Sequence, residues 1–140
     1  YAVVGDGGTS HGDFAEGVNF AAVWKAPVVF IVQNNQFAIS VPFKKQTRSL
    51  NIAVKSVAYG IPGIKVDGND IFAMTRALEE ATAYAKAGNG PVLIEAMTYR
   101  RGAHTTSDDP TKYRTKEEEE SFAFTHPIDR LRKHIVSENQ

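Results

Sequence analysis

An α/β fold, a parallel sheet with helices on both faces, is what this chain predicts, and three observations carry the prediction. Short apolar runs recur at residues 1–4, 28–32, 64–66 and 92–99, as expected of strands buried on both faces. Segments with apolar residues every three or four positions lie between them. Strand and helix thus alternate, which is the pattern of a parallel sheet built from crossover units.

Each element has its own signal. Residues 1–4 form a short apolar strand ended by Gly5, and burial is expected of it. Asp13, with Glu16 three residues on, reads as a capping box with an aspartate in the Ser/Thr place. Phe14, Val18, Ala21, Ala22 and Lys25 follow helical spacing, and Pro27 closes the segment. Residues 28–32 are a second strand, ending in the polar cluster Gln33, Asn34, Asn35 and Gln36. Asn51 is placed to cap a short helix that stops at Gly60. Residues 64–66 make a brief strand before the turn at Asp67, Gly68 and Asn69.

Asp70 caps the clearest helix, with apolar positions Ile71, Met74, Leu78, Ala81 and Ala85 and a stop at Gly88. Pro91 leads into the strand at 92–99. Residues 100–114 lack periodicity and are rich in turn formers, so a long exposed loop is expected. Residues 116–124 and 128–136 read as helices split by Pro127. Trp24, Phe72 and Met74 are assigned to packing, while His126 and His134 are assigned to the surface.

Composition narrows the function. The 140 residues suit a single domain over 1–140; 42% are hydrophobic and 23% charged, as in an ordinary globular protein. Zero formal net charge marks neither a nucleic-acid binder nor a binder of anionic membranes. The chain has no cysteine, which excludes disulfides, thiolate metal sites and a cysteine nucleophile, and fits a reducing cytosol. No apolar run approaches the roughly 20 residues of a membrane span. The opening YAVVGDGG, without methionine or signal peptide, leads to the expectation of a C-terminal fragment of a longer subunit.

The chemistry concentrates at the ends of the first two strands, where ligands bind in open parallel sheets. GDGGTSHGDF, residues 5–14, runs from strand to helix. Glycines before a helix N-terminus offer bare N–H groups to phosphate. Asp6 would repel a phosphate unless a divalent cation lay between them. Mg²⁺ takes six oxygens and commonly keeps phosphate among its ligands. Asp6, the amide oxygen of Asn35, the carbonyl of Phe37, two phosphate oxygens and a water would complete such a shell. The dinucleotide fingerprint fits less well, because Ser10 stands at its third glycine and Asn34 and Asn35 stand where an acid is wanted. The P-loop signature is absent. Taken singly, GDG or NN describes an ordinary turn.

Together, Gly5-Asp6-Gly7 and Asn34-Asn35 resemble the thiamine diphosphate motif of transketolase-like and 2-oxo acid decarboxylating enzymes. GDFAEGVNFAAVWKAPVVFIVQNNQFAIS, GIPGIKVDGND, GPVLIEAMTYR, HTTSDDPTKYR and HPIDRLRKHI resemble one branch, the alpha subunit of the decarboxylating component of 2-oxo acid dehydrogenase complexes. The resemblance implies the thiamine-diphosphate-binding fold, with thiamine diphosphate and Mg²⁺ as cofactors. It implies backbone contacts to the diphosphate from Gly7 and Gly8, and metal ligands from Asp6, Asn35 and the Phe37 carbonyl. Arg100 and His104 fall on diphosphate-contacting positions of a mobile loop, and His104 is also the candidate for handling acyl transfer to lipoyl. Thr105 stands where mitochondrial relatives carry a phosphorylated serine, and His11 stands where the family usually has glutamine.

The implied activity is oxidative decarboxylation of a small 2-oxo acid with transfer of the acyl unit to the lipoyl domain of an acyltransferase core. A beta subunit is implied as partner in an alpha2beta2 heterotetramer, located in the bacterial cytosol. GDGGTSHGDFAEG resembles pyruvate-type alpha subunits, and VDGNDIF and LIEAMTYRRGAHTTSDD resemble branched-chain types. The reading favours pyruvate, with 2-oxoisovalerate as the alternative. A nicotinamide-dependent oxidoreductase and a non-catalytic assembly fragment stay open as other classes.

Overall fold

In the computed structural model, residues 1–122 and 126–138 are described. The order along the chain is β1 (Ala2–Gly5), a 3-10 turn (Asp6–Ser10), α1 (Gly12–Val23), β2 (Val29–Asn34), β3 (Phe37–Ala38), β4 (Val41–Pro42), α2 (Phe43–Gln46), a 3-10 segment (Ala53–Tyr59), β5 (Gly63–Asp67), α3 (Ile71–Tyr84), β6 (Val92–Met97), α4 (Lys116–Ser121) and α5 (Pro127–Glu138). Strands β1, β2, β6 and β5 lie side by side in that order, all parallel. β3 and β4 form a separate antiparallel hairpin.

The pleat sends alternate residues of each strand to opposite faces. Val29, Val92 and Ile94 pack with Ala77, Ala81 and Ala85, which line up along and just beyond α3. Val32 and Leu93 face the other way, toward Ile52, with Phe14 of α1, Phe30 and Phe43 against them. The sheet is therefore covered on both sides, as its apolar runs predict. Arg130 of α5 donates to Asp67 (2.6 Å) and Asp70 (3.1 Å), fastening that helix to the turn between β5 and α3. Among the described residues no helix is long and apolar enough to cross a membrane.

Several local expectations hold. Asp70 caps α3 by accepting from the N–H groups of Phe72 and Ala73. Asn51 accepts from the Val54 N–H (2.8 Å) at the start of the 3-10 segment, which ends at Gly60 in a left-handed conformation (φ 65°). Pro127 opens α5, where its missing N–H costs nothing.

Others are corrected. The expected burial of residues 1–4 fails, because β1 is an edge strand and Val3 is 59% exposed. The capping box at Asp13 does not form. α1 begins at Gly12 with His11 as the capping residue and no side-chain cap bond, so Asp13 sits inside the first turn. There its charge favours the N-terminal end of the helix dipole. Trp24 (73% exposed) and Phe72 (59% exposed) are not core residues. Trp24 lies against Phe20, and Phe72 lies edge-on to the exposed His134. The strand at 92–99 is shorter than expected, ending at Met97. The helix at 116–124 ends at Ser121, and its last two positions, 123 and 124, lie outside the described residues.

Candidate functional site

Strand order sets the site. Gly5 pairs with Gln33 and Asn34 pairs with Met97, so β1, β2 and β6 end side by side. Past the end of β6 the chain stays on β2: the Thr98 N–H donates to the Asn34 carbonyl (2.9 Å) and the Arg100 N–H to the Asn35 carbonyl (3.2 Å). Asp6, Asn35 and Arg100 thus leave three adjacent strand ends.

Asp6 opens the 3-10 turn and is 1% exposed. Its Oδ2 accepts from Gln46 Nε2 (2.7 Å), and its carbonyl accepts from the Thr9 hydroxyl (2.8 Å). Among the described residues no cation forms an ion pair with Asp6. Lys55 Nζ lies nearby, 3.5 Å from Thr9 Oγ1. Burial pushes the Lys55 pKa down, against the opposing pull of Glu95.

Gly7 and Gly8 are explained by packing. A Cβ at Gly7 would stand 2.6 Å from the Ala38 Cβ, and one at Gly8 would stand 2.4 Å from Val4 Cγ2. The turn is pressed against the strand before it and the hairpin beside it.

The paired asparagines have different jobs. Asn34 is fully buried and its amide donates to Glu95 (2.7 Å), while its oxygen accepts from the Gln36 N–H (3.1 Å). Glu95, also fully buried, accepts from the N–H groups of Ile52 and Ala53 (both 2.8 Å). Asn35 turns the other way, its Oδ1 accepting from the Phe37 N–H (3.1 Å). On either side of Phe37, Gln36 (φ 76°) and Ile39 (φ 56°) adopt left-handed conformations. Each costs an L-residue roughly 1–2 kcal/mol. Strain of this kind concentrates where backbone geometry serves a ligand.

Arg100 spans the ends. Its guanidinium donates to the carbonyls of Phe37 (3.1 Å) and Ile39 and to the Tyr113 hydroxyl (3.0 Å). Phe37 is buried beneath the guanidinium groups of Arg100 and Arg114, with Tyr99 and Tyr113 beside it. Arg114 is buried too, and its fork donates to the carbonyls of Arg100, Arg101 and Gly102. His104 stands on the loop, exposed, with its N–H donating to Asp108 Oδ2 (2.8 Å). Arg100 therefore meets Phe37 directly, while His104 lies farther out.

Among the described residues no group of three or more His, Asp or Glu side chains is arranged to hold a metal. A metal here would draw on one carboxylate, one amide oxygen and one carbonyl. That all-oxygen set suits a hard divalent cation. A buried carboxylate facing only neutral donors is short of positive charge, which a cation would supply. The residues fit the group. Gln46, Arg114 and Glu95 were not singled out by sequence; their types are common on surfaces, and only the burial of Arg114 and Glu95 and the bond from half-buried Gln46 to Asp6 reveal them.

The model of the dehydrogenase E1 component family matches residues 1–140. The 3-methyl-2-oxobutanoate dehydrogenase subunit alpha of Mycobacterium tuberculosis is 55% identical over 134 residues, 96% of this chain and 36% of the relative. The pyruvate dehydrogenase E1 component subunit alpha of Acholeplasma laidlawii is 56% identical over 135 residues, 96% of this chain and 39% of the relative. Its counterpart from Staphylococcus aureus is 54% identical over 132 residues, 94% of this chain and 36% of the relative. The chain spans less than two-fifths of the length of these relatives.

Proposed function

Since the chain belongs to the dehydrogenase E1 component family, we propose that it is the diphosphate- and metal-binding part of an alpha subunit that oxidatively decarboxylates a 2-oxo acid. The whole protein acts with a beta subunit in an alpha2beta2 heterotetramer, in the bacterial cytoplasm, and passes the acyl unit to the lipoyl domain of an acyltransferase core. Bound thiamine diphosphate supplies an electron sink for the carbon that loses carbon dioxide.

The observation that carries this reading is the buried Asp6 carboxylate, held by a neutral amide at the junction of two strand ends. Asp6, the Asn35 amide oxygen and the Phe37 carbonyl are the residues that would hold Mg²⁺. Asn35 Oδ1 would exchange its bond to the Phe37 N–H for the cation. The backbone of Gly7 and Gly8, in the turn leading into α1, would take the diphosphate. Arg100 is the group with charge to spare for phosphate, and reaching it means releasing the Phe37 and Ile39 carbonyls. His104, on the exposed loop, is suited to meet an incoming lipoyl domain.

Substitution of Asp6 by Ala should strip thiamine diphosphate from the complete alpha2beta2 assembly, measured as cofactor retained after gel filtration. Unchanged retention would overturn the reading. Pyruvate is the favoured substrate, and the relatives carry both pyruvate and 3-methyl-2-oxobutanoate names at nearly equal identity. Carbon dioxide release from pyruvate against 2-oxoisovalerate by the assembled enzyme decides between them.

A further inference from the structure

The hairpin of β3 and β4 leads into α2, whose last residue, Gln46, returns to the turn at Asp6. Gln46 Nε2 donates to Asp6 Oδ2 (2.7 Å) and to the Val41 carbonyl (3.1 Å). Both partners are acceptors, which fixes the amide orientation: turned over, Oε1 would face a carboxylate and a carbonyl. The other end of the amide is left unanswered. Gln46 Oε1 is buried and has no hydrogen-bond partner among the described residues.

We propose that Gln46 is a positioning residue for cation capture, holding one oxygen of Asp6 through Nε2 and keeping Oε1 for a donor that arrives with the cation. The proposal rests on the metal reading of Asp6 and adds a residue to it. A carboxylate has two oxygens and about four lone-pair directions, so a bond to Oδ2 leaves the other oxygen for a metal. A neutral donor steers the carboxylate without cancelling its charge, whereas a lysine or arginine in the same place would compete with the cation. Lys44 and Lys45, the two residues before Gln46, are exposed and form no ion pair with Asp6 among the described residues. Water bound to a divalent cation is a strong donor, of the kind a buried orphan acceptor requires. Groups that orient a ligand in this way typically change metal affinity about 10–100-fold when removed.

The test uses the full-length alpha subunit assembled with its beta partner, with Mn²⁺ alone as probe and free Mn²⁺ read by electron paramagnetic resonance. Gln46→Leu should weaken Mn²⁺ binding about 10–100-fold while amide exchange across residues 37–46 stays as in the wild type. Gln46→Lys, which sets an ammonium against Asp6, should remove Mn²⁺ binding without lowering the melting temperature of the assembly. In an Asp6→Asn background, Gln46→Leu should have no further effect on Mn²⁺.

Wild-type affinity in Gln46→Leu, together with loss in Asp6→Asn, would overturn the role of Gln46 and leave the Asp6 reading standing. Weakened binding accompanied by faster exchange throughout the hairpin would reduce Gln46 to a tether, which also overturns the proposal. Full Mn²⁺ binding by Asp6→Asn would remove the metal reading itself, and the proposal with it. Should Gln46→Leu fail to assemble, Gln46→Lys decides, retained Mn²⁺ binding being the overturning result.

Discussion

Asp108 accepts hydrogen bonds from the His104 N–H (2.8 Å) and the Tyr113 hydroxyl (2.6 Å). The backbone bond from His104 is the larger cause of its lowered pKa, followed by the bond from Tyr113. A carboxylate whose pKa is depressed by folding contributes its stabilisation above the ordinary aspartate range, and that contribution is lost as the pH falls through the folded value. Acid should therefore loosen residues 100–114. The protection factor of the His104 amide is expected to hold at neutral pH and drop only below the usual aspartate pKa, while Asp108→Asn should lower it at neutral pH. Equal protection in the two proteins would refute this. At this scale the sequence exposes residues with overt chemistry. Asp6 and Asn35 can be picked out because GDG and NN occur together at two strand ends, Phe37 follows as the carbonyl just beyond Asn35, and Arg100 comes only through the family resemblance. Gln46 and Arg114 cannot be picked out, since their environments are made by a hairpin and a loop that lack any periodic signal.

Elements show the same division. β2 and β6 are legible because their runs are apolar on both faces, and α3 is legible because Asp70 marks its start. The inner face of α3 is less so. Spacing points to Ile71, Met74, Leu78, Ala81 and Ala85; Ala81 and Ala85 are buried and Leu78 packs beside them, but Ile71 is exposed and Ala77, which the spacing passes over, is buried, because small side chains let the helix approach the sheet. The hairpin of β3 and β4 escapes sequence reading altogether. Its strands have two residues each, and Gln36 and Ile39 adopt backbone conformations that their types disfavour. Glu95 joins elements that sequence leaves unconnected: it ties the end of β2 to the 3-10 segment through one amide and two backbone N–H groups. In Glu95→Gln one acceptor oxygen becomes a donor, facing either the Asn34 amide or the two N–H groups. The full-length subunit should lose about 2–3 kcal/mol in chemical denaturation. An unchanged midpoint and slope would show that these bonds carry little.

Across the whole molecule, one sheet separates two apolar layers and brings three chain segments to one edge of three strands. Residues 100–114 come there through the family resemblance alone, while the two layers and the adjoining ends of β1 and β2 were readable from the alternation of runs and periods. The outward face of α1 was not, because aromatic side chains on a helix are expected to be covered. Phe20, Val23 and Trp24 instead stand exposed, the rings of Phe20 and Trp24 5.2 Å apart. Trp24 is the only tryptophan in the sequence. The chain therefore carries its own optical reporter, placed just past the end of the helix that starts beside Asp6. Its emission should have the red-shifted maximum of a wet indole and be quenched readily by iodide. Any surface that settles over this helix should announce itself as a blue shift and a loss of quenching, with no dye or label attached.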